Sequence, residues 1–175
     1  MVKWEPWDLH LNLLKMFLFY PELLLVKARQ MGITWLCAGY ADWYGLFREA
    51  ARVLLISQGE NEARDLLAKV KFIHLHLPPE LRVDFKHPDS KELIDFVSHG
   101  SEIIALPSTA KAGRSSDASL VIRDELANHE YAEANFAAVG PTVDSGGQSI
   151  DLSTMDKTSP YYKHFYDRAL KAYRG

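Results

Sequence analysis

Three short apolar runs constrain this chain more than any other feature: "LLLVK" at 23–27, "RVLLIS" at 52–57 and "LVIRDE" at 120–125. Each is too short for a buried helix and has the continuous apolar character of a strand covered on both faces. Helical patterns surround the first two. Residues 8–19 read as a helix with Asp8 as N-cap and Pro21 marking its end, and a second helix is expected over 34–50. Residues 60–75 place Ala63, Leu66, Leu67, Val70 and Ile73 on one stripe, stopped by Pro78 and Pro79. Helix, strand, helix, strand, helix is the order of an α/β domain whose mainly parallel sheet is built through helical crossovers.

The middle of the chain changes character. "LIDFVSHGSEIIALPS" holds two short strands either side of His99 and Gly100, a hairpin signal. "TAKAGRSSDAS", 109–119, has almost no large apolar residues and reads as a surface loop. After the 120–125 run come an expected helix over 131–138, a strand at "QSIDLS" and a terminal helix over 160–173.

Composition adds exclusions. The 175 residues are 47% hydrophobic and 25% charged, enough for one globular domain with a real core. A net charge of −3 gives no global basic field, so contact with nucleic acid requires a local patch or oligomerisation. The single cysteine, Cys37, excludes an internal disulfide. The N-terminus lacks a signal-peptide layout and no apolar run reaches the ~18 residues of a membrane span, so a soluble intracellular protein is expected.

Within "LLLVKARQMGIT" lies a variant of the phosphate-binding loop G-x-x-x-x-G-K-[ST], with Lys27 at the first glycine and Ile33 at the lysine. Such a loop needs backbone approach at Gly32, a hydroxyl at Thr34 for Mg²⁺, and a cation on the β/γ-phosphates. The loop curls around the phosphates, so a long side chain at its first position reaches where one at its seventh would; Arg29 adds a second cation. Alone, the stretch reads equally well as an ordinary strand–loop–helix turn with solvated charges.

Asp124 and Glu125 close the 120–125 strand, the arrangement in which an aspartate serves Mg²⁺ and the next glutamate orients or deprotonates water. About 90 residues upstream stands the phosphate-loop candidate, and both motifs fall at carboxyl ends of strands, where α/β sheets bind ligands. Together they favour an ATPase. Ser153 and Thr154 fit either a sensor of the terminal phosphate or a simple helix cap. Lys111 and Arg114 on the polar loop fit an arginine-finger role or solvated charge. The histidines of "HLHL", His74 and His76, have no ligand-spaced partner and read as surface residues. Tyr40, Trp35 and Trp43 read as core or interface.

In this order the motifs resemble the ATPase domain of the large terminase subunit of tailed bacteriophages, the motor that packages viral DNA. "KARQMGIT" resembles that family's variant phosphate loop, "FVSHGSEIIALPS" its hairpin, "LVIRDE" its Mg²⁺/glutamate strand and "STMDKTSPYYKHFYD" its coupling motif and following helix. The resemblance runs from about Pro6 to the C-terminus. It implies an ASCE/RecA-like P-loop NTPase with a hairpin before the Walker B strand. The expected plan is one domain over 1–175: an N-terminal helix and adenine-side segment at 1–21, a core at 22–158 and a terminal helix at 159–175.

Carried over by position, the resemblance implies that ATP is held by the loop Lys27, Ala28, Arg29, Gln30, Met31, Gly32, Ile33 and Thr34. Lys27 becomes the relocated lysine, with Arg29 near the γ-phosphate. Thr34 and Asp124 would hold Mg²⁺, Glu125 would be the catalytic carboxylate, and Ser153-Thr154 the coupling motif. Arg114, eleven residues before Glu125, falls where some members supply a finger to a neighbouring subunit. The family's adenine-side glutamine is missing, and His10 stands at the nearest position. Implied partners are double-stranded DNA, neighbouring copies in a ring on the portal, the portal protein and the small terminase subunit, with no membrane, in the host cytoplasm. Whole large subunits continue into a nuclease domain; with the sequence ending at Gly175, a motor domain without DNA cleavage is expected. A helicase-like translocase of another class, or a non-hydrolysing assembly module of the same fold, remain as alternatives.

Overall fold

The computed structural model describes residues 5–112 and 117–174. Its elements are α1 (Asp8–Phe19), β1 (Glu22–Lys27), α2 (Ile33–Leu46), β2 (Arg52–Ser57), α3 (Glu60–Leu75), β3 (Leu93–Asp95), β4 (Glu102–Pro107), β5 (Leu120–Asp124), α4 (Ala132–Asp144), β6 (Gln148–Thr154) and α5 (Tyr162–Arg174). One six-stranded sheet has the order β1-β6-β5-β2-β4-β3, parallel except for the antiparallel β3–β4 hairpin at one edge. The expected α/β architecture is present, hairpin included.

Alternate side chains of the sheet enter different cores. Val53, Leu55, Leu120, Ile122, Ile150 and Leu152 pack with Leu36, Tyr40, Leu66 and Val70 of α2 and α3. Leu54, Ile56 and Val121 instead meet Val139 of α4. A third cluster seats Phe165 of α5 on Leu126, Ala127 and Ala132, just beyond the end of β5. Helices on both faces explain why the strands read as continuous apolar runs.

Several boundaries differ from expectation. β1 lies at a sheet edge, so Leu23 and Leu25 are buried while Val26 is exposed, not covered on both faces. Trp7, not Asp8, occupies the N-cap of α1. The second helix stops at Leu46 instead of running to Ala50, because the hairpin captures the chain: Ala50 N–H donates to the His99 carbonyl (3.0 Å) and Ala51 N–H to Ser101 Oγ (3.0 Å). α4 runs on through Pro141 as Val139 packs onto the sheet.

His74 corrects the surface reading. It is buried on α3, its Nδ1 2.9 Å from Asp42 Oδ1 and its Nε2 2.9 Å from the Val83 carbonyl. It continues the apolar stripe of Ala63, Leu67 and Val70, whereas His76 is exposed. Among the described residues no helix is long and apolar enough to cross a membrane.

Candidate nucleotide-binding site

β1, β5 and β6 deliver their last residues to the same end of the sheet, and the loop from β1 into α2 arches over it. Gln30 (φ 62°) and Gly32 (φ 71°) both take the left-handed region, which curls the five residues between Lys27 and Ile33. Gly32 then serves as N-cap of α2, leaving the first-turn N–H groups and the positive end of the helix dipole facing the cavity. This cavity of 350 Å³ is lined by Lys27, Ala28, Gln30, Met31, Gly32, Ile33 and Thr34 from the loop. Asp124 at the end of β5 and Glu125 just after it, Ser57 of β2 and Gln58 just after it, and Glu62, Leu66 and Lys69 of α3 complete the lining, with Trp35 of α2.

Lys27 turns inward from the end of β1. Its side chain is 7% exposed; Nζ donates to Glu125 Oε1 at 2.5 Å and lies 4.0 Å from Asp124 Oδ1. Thr34 Oγ1 donates to Asp124 Oδ1 at 3.4 Å. Glu125 sits in left-handed backbone (φ 54°), an uncommon conformation for a non-glycine residue, which swings its carboxylate out of the strand line. Its other oxygen, Oε2, lies 3.4 Å from Ser153 Oγ, Thr154 N and Thr154 Oγ1. The phosphate-loop, acidic and Ser-Thr motifs therefore meet in one network.

The two neighbouring acids are tuned in opposite directions. Burial, reinforced by the charge of Glu125, lifts the Asp124 carboxyl above the usual range against the pull of Lys27 and Thr34. Burial also acts on Glu125, but the Lys27 hydrogen bond and charge, with Thr154 and Ser153, outweigh it and hold that carboxyl below the usual range.

No family model matches the chain, and no curated protein matches it. Among solved structures, the HK97 bacteriophage large terminase superposes with a TM-score of 0.67 at 20% identity over 87% of this chain. The ATPase domain of the Thermus phage P74-26 large terminase gives 0.62 at 14% identity over 86%. The chain has the fold of a phage large-terminase ATPase domain. It spans 33% of the HK97 terminase chain and 65% of the Thermus phage domain.

Within this terminase-ATPase fold the remaining candidates fall in different places. Arg29 points away from the cavity: its side chain is 79% exposed and lies 3.5 Å from Asp156. His10 lies beneath the loop, buried, with Nε2 donating to the Met31 carbonyl at 2.7 Å and Nδ1 accepting from Trp7 N–H at 3.1 Å. It props the loop and does not line the cavity. Lys111 is exposed, and Arg114 lies outside the described residues. Among the described residues no three His, Cys, Asp or Glu side chains gather into a protein-built metal cage. The Thr34–Asp124 pair nonetheless suits Mg²⁺, which keeps several waters and takes one or two protein ligands beside substrate phosphates.

Sequence reasoning missed a buried ion network behind the site. Arg123 and Asp151, both fully buried, are direct neighbours in the parallel β5–β6 ladder and pair through two hydrogen bonds of 2.5 and 2.8 Å. Arg168 of α5 bonds the same carboxylate and reaches Glu22 at 2.6 Å, and the guanidinium groups of Arg123 and Arg168 lie over the Phe136 ring at 5.3 and 4.0 Å. His129, also buried, donates from Nε2 to the Asp124 carbonyl at 2.8 Å. The available signal was Arg123 directly after the apolar "LVI"; Asp151 lies in the mostly polar "QSIDLS" and carried no such signal.

Proposed function

We propose that this chain is the Mg²⁺-dependent ATPase domain of a viral large terminase, a motor that drives double-stranded DNA into procapsids. The observation that carries the proposal is Lys27. Departing from the first position of a loop that lacks the usual lysine, it ends among Asp124, Glu125 and Thr34.

In this reading the loop amides and the α2 N-terminus hold the phosphates, and Lys27 supplies the point charge on them. Thr34 and Asp124 would hold Mg²⁺, which would supply charge neutralisation. Glu125 orients the attacking water and accepts its proton. Lys27 is engaged by Glu125 and holds that carboxyl below the usual range, so it is weakly basic. Phosphates compete for Lys27, and once it leaves, burial raises the affinity of Glu125 for a proton. Substrate binding thereby prepares the base.

Ser153 and Thr154, touching Glu125 from β6, would pass the change to α5. Ser159 supports this route, its hydroxyl donating to the Ala127 carbonyl at 2.8 Å, as does Arg168 on Asp151. A neighbouring copy's Arg114 would add positive charge to the transferring phosphoryl group, whereas the outward-turned Arg29 pairs with Asp156. The proposed setting is a ring on the portal, with the portal protein and small subunit as partners, in the host cytoplasm. ATP hydrolysis measured on the purified chain with Mg²⁺, across a range of protein concentrations, tests the reading. Turnover that requires Glu125 supports it, and turnover unaffected by Glu125→Gln overturns it.

A further inference from the structure

The cavity lining mixes two chemistries. Lys27, Thr34, Asp124 and Glu125 suit phosphate and metal. Trp35 of α2 and Leu66 of α3 add aromatic and apolar surface, with the charged Glu62 and Lys69 also on α3. His10 is turned under the loop against Met31 and stacks on Trp7 with ring centroids 5.3 Å apart. It presents no face to the cavity.

Trp35 directly follows Thr34. Its neighbours on α2, Ile33, Leu36 and Cys37, are buried, yet the Trp35 residue is 42% exposed and lines the cavity. The ring is held rather than loose: Phe72 meets it edge-on at 5.7 Å and 75°, and Lys69 Nζ stands 5.9 Å from its centroid. A partly exposed, immobilised indole beside a phosphate site is a stacking surface for a flat heterocycle.

We infer that Trp35 is the platform on which the nucleotide's base stacks, with Phe72 at its edge and the Lys69 ammonium over the indole, so that the base side of the site is built by α2 and α3. This rests on the nucleotide reading of the cavity. Stacking uses the π-face that every base has, so the platform supplies affinity for a nucleoside with little discrimination between adenine and guanine.

Trp35 also borders a second, apolar cavity with Leu18, Trp43 and Phe72, so its removal could act through packing alone. The test therefore compares ligands with and without a base. Calorimetric affinities for ATP, GTP and inorganic tripolyphosphate, each with Mg²⁺, are measured on the full chain, on Trp35→Ala and on Trp35→Phe. The platform predicts that Trp35→Ala weakens ATP and GTP about tenfold or more and leaves tripolyphosphate unchanged, while Trp35→Phe stays near the parent. Equal losses for all three ligands, or no loss, overturn it. A parent chain that binds tripolyphosphate and ATP equally well also overturns the platform but leaves the phosphate site standing. A parent chain that binds none of the three overturns the nucleotide reading itself, and the platform with it.

Discussion

Lys27 Nζ lies 2.5 Å from Glu125 Oε1, joining residues 98 positions apart at the ends of β1 and β5. The contact makes two sequence oddities one feature. A lysine displaced to the start of its loop and an acid in left-handed backbone meet where the loop amides converge.

Under the proposed function, Glu125→Gln separates two roles of that acid. Loss of the proton acceptor is expected to lower ATP turnover by about 10²–10⁴-fold. Lys27 is freed from its carboxylate partner, so ATP affinity is expected to rise severalfold. Single-turnover hydrolysis and calorimetric binding on the same variant check both directions.

The Arg123–Asp151–Arg168 network ties β5 and β6 to α5. Removing the shared acid by Asp151→Ala leaves one fully buried and one largely buried guanidinium without their carboxylate, so a loss of about 3–5 kcal/mol is expected in urea unfolding. Exposed Lys163→Ala, which breaks only the surface pair with Asp167, is expected to leave the urea midpoint essentially unchanged.

His129 gives the fold an acid-sensitive spot. Burial, with the charge of Arg123 adding to it, lowers its pKa to about 4 despite the bond to the Asp124 carbonyl. The folded value lies below the ordinary ~6.5, so under pH 6.5 the unfolded chain binds the extra proton and the folded chain resists it. This group's contribution to stability is therefore present above about pH 6.5 and is lost as pH falls towards 4, by up to about 3 kcal/mol. The pH dependence of the urea midpoint should be shallower over this window in His129→Gln than in the parent.

Arg114 is expected to act on a neighbouring copy. Activity per chain should rise with protein concentration, and Arg114→Ala should abolish that rise while sparing the basal rate of dilute protein. Sedimentation alongside turnover checks that association itself persists.

What the sequence disclosed follows from which forces act locally. β2 and β5 were legible because strands covered on both faces must be apolar along their whole length, and the α3 stripe because burial repeats with the helical period. The same stripe includes His74, which read as a surface residue for want of a ligand-spaced partner; it is buried because Asp42 and the Val83 carbonyl engage both ring nitrogens. Parallel register is set by long-range packing, so the facing of Arg123 and Asp151 was invisible in residue order. The meeting of Lys27, Thr34, Asp124, Glu125 and Thr154 was inferred from motif order, whereas the inward turn of His10 and the outward turn of Arg29 depend on side-chain geometry that residue order does not carry.

The relocated lysine is the centre of this account, and Mg·ATP affinity of the Lys27→Ala variant tests it most directly. Loss of a charge-assisted contact to phosphate predicts binding about 10–100-fold weaker than the parent, with the fold intact by circular dichroism. A folded Lys27→Ala variant that binds Mg·ATP as tightly as the parent would contradict it.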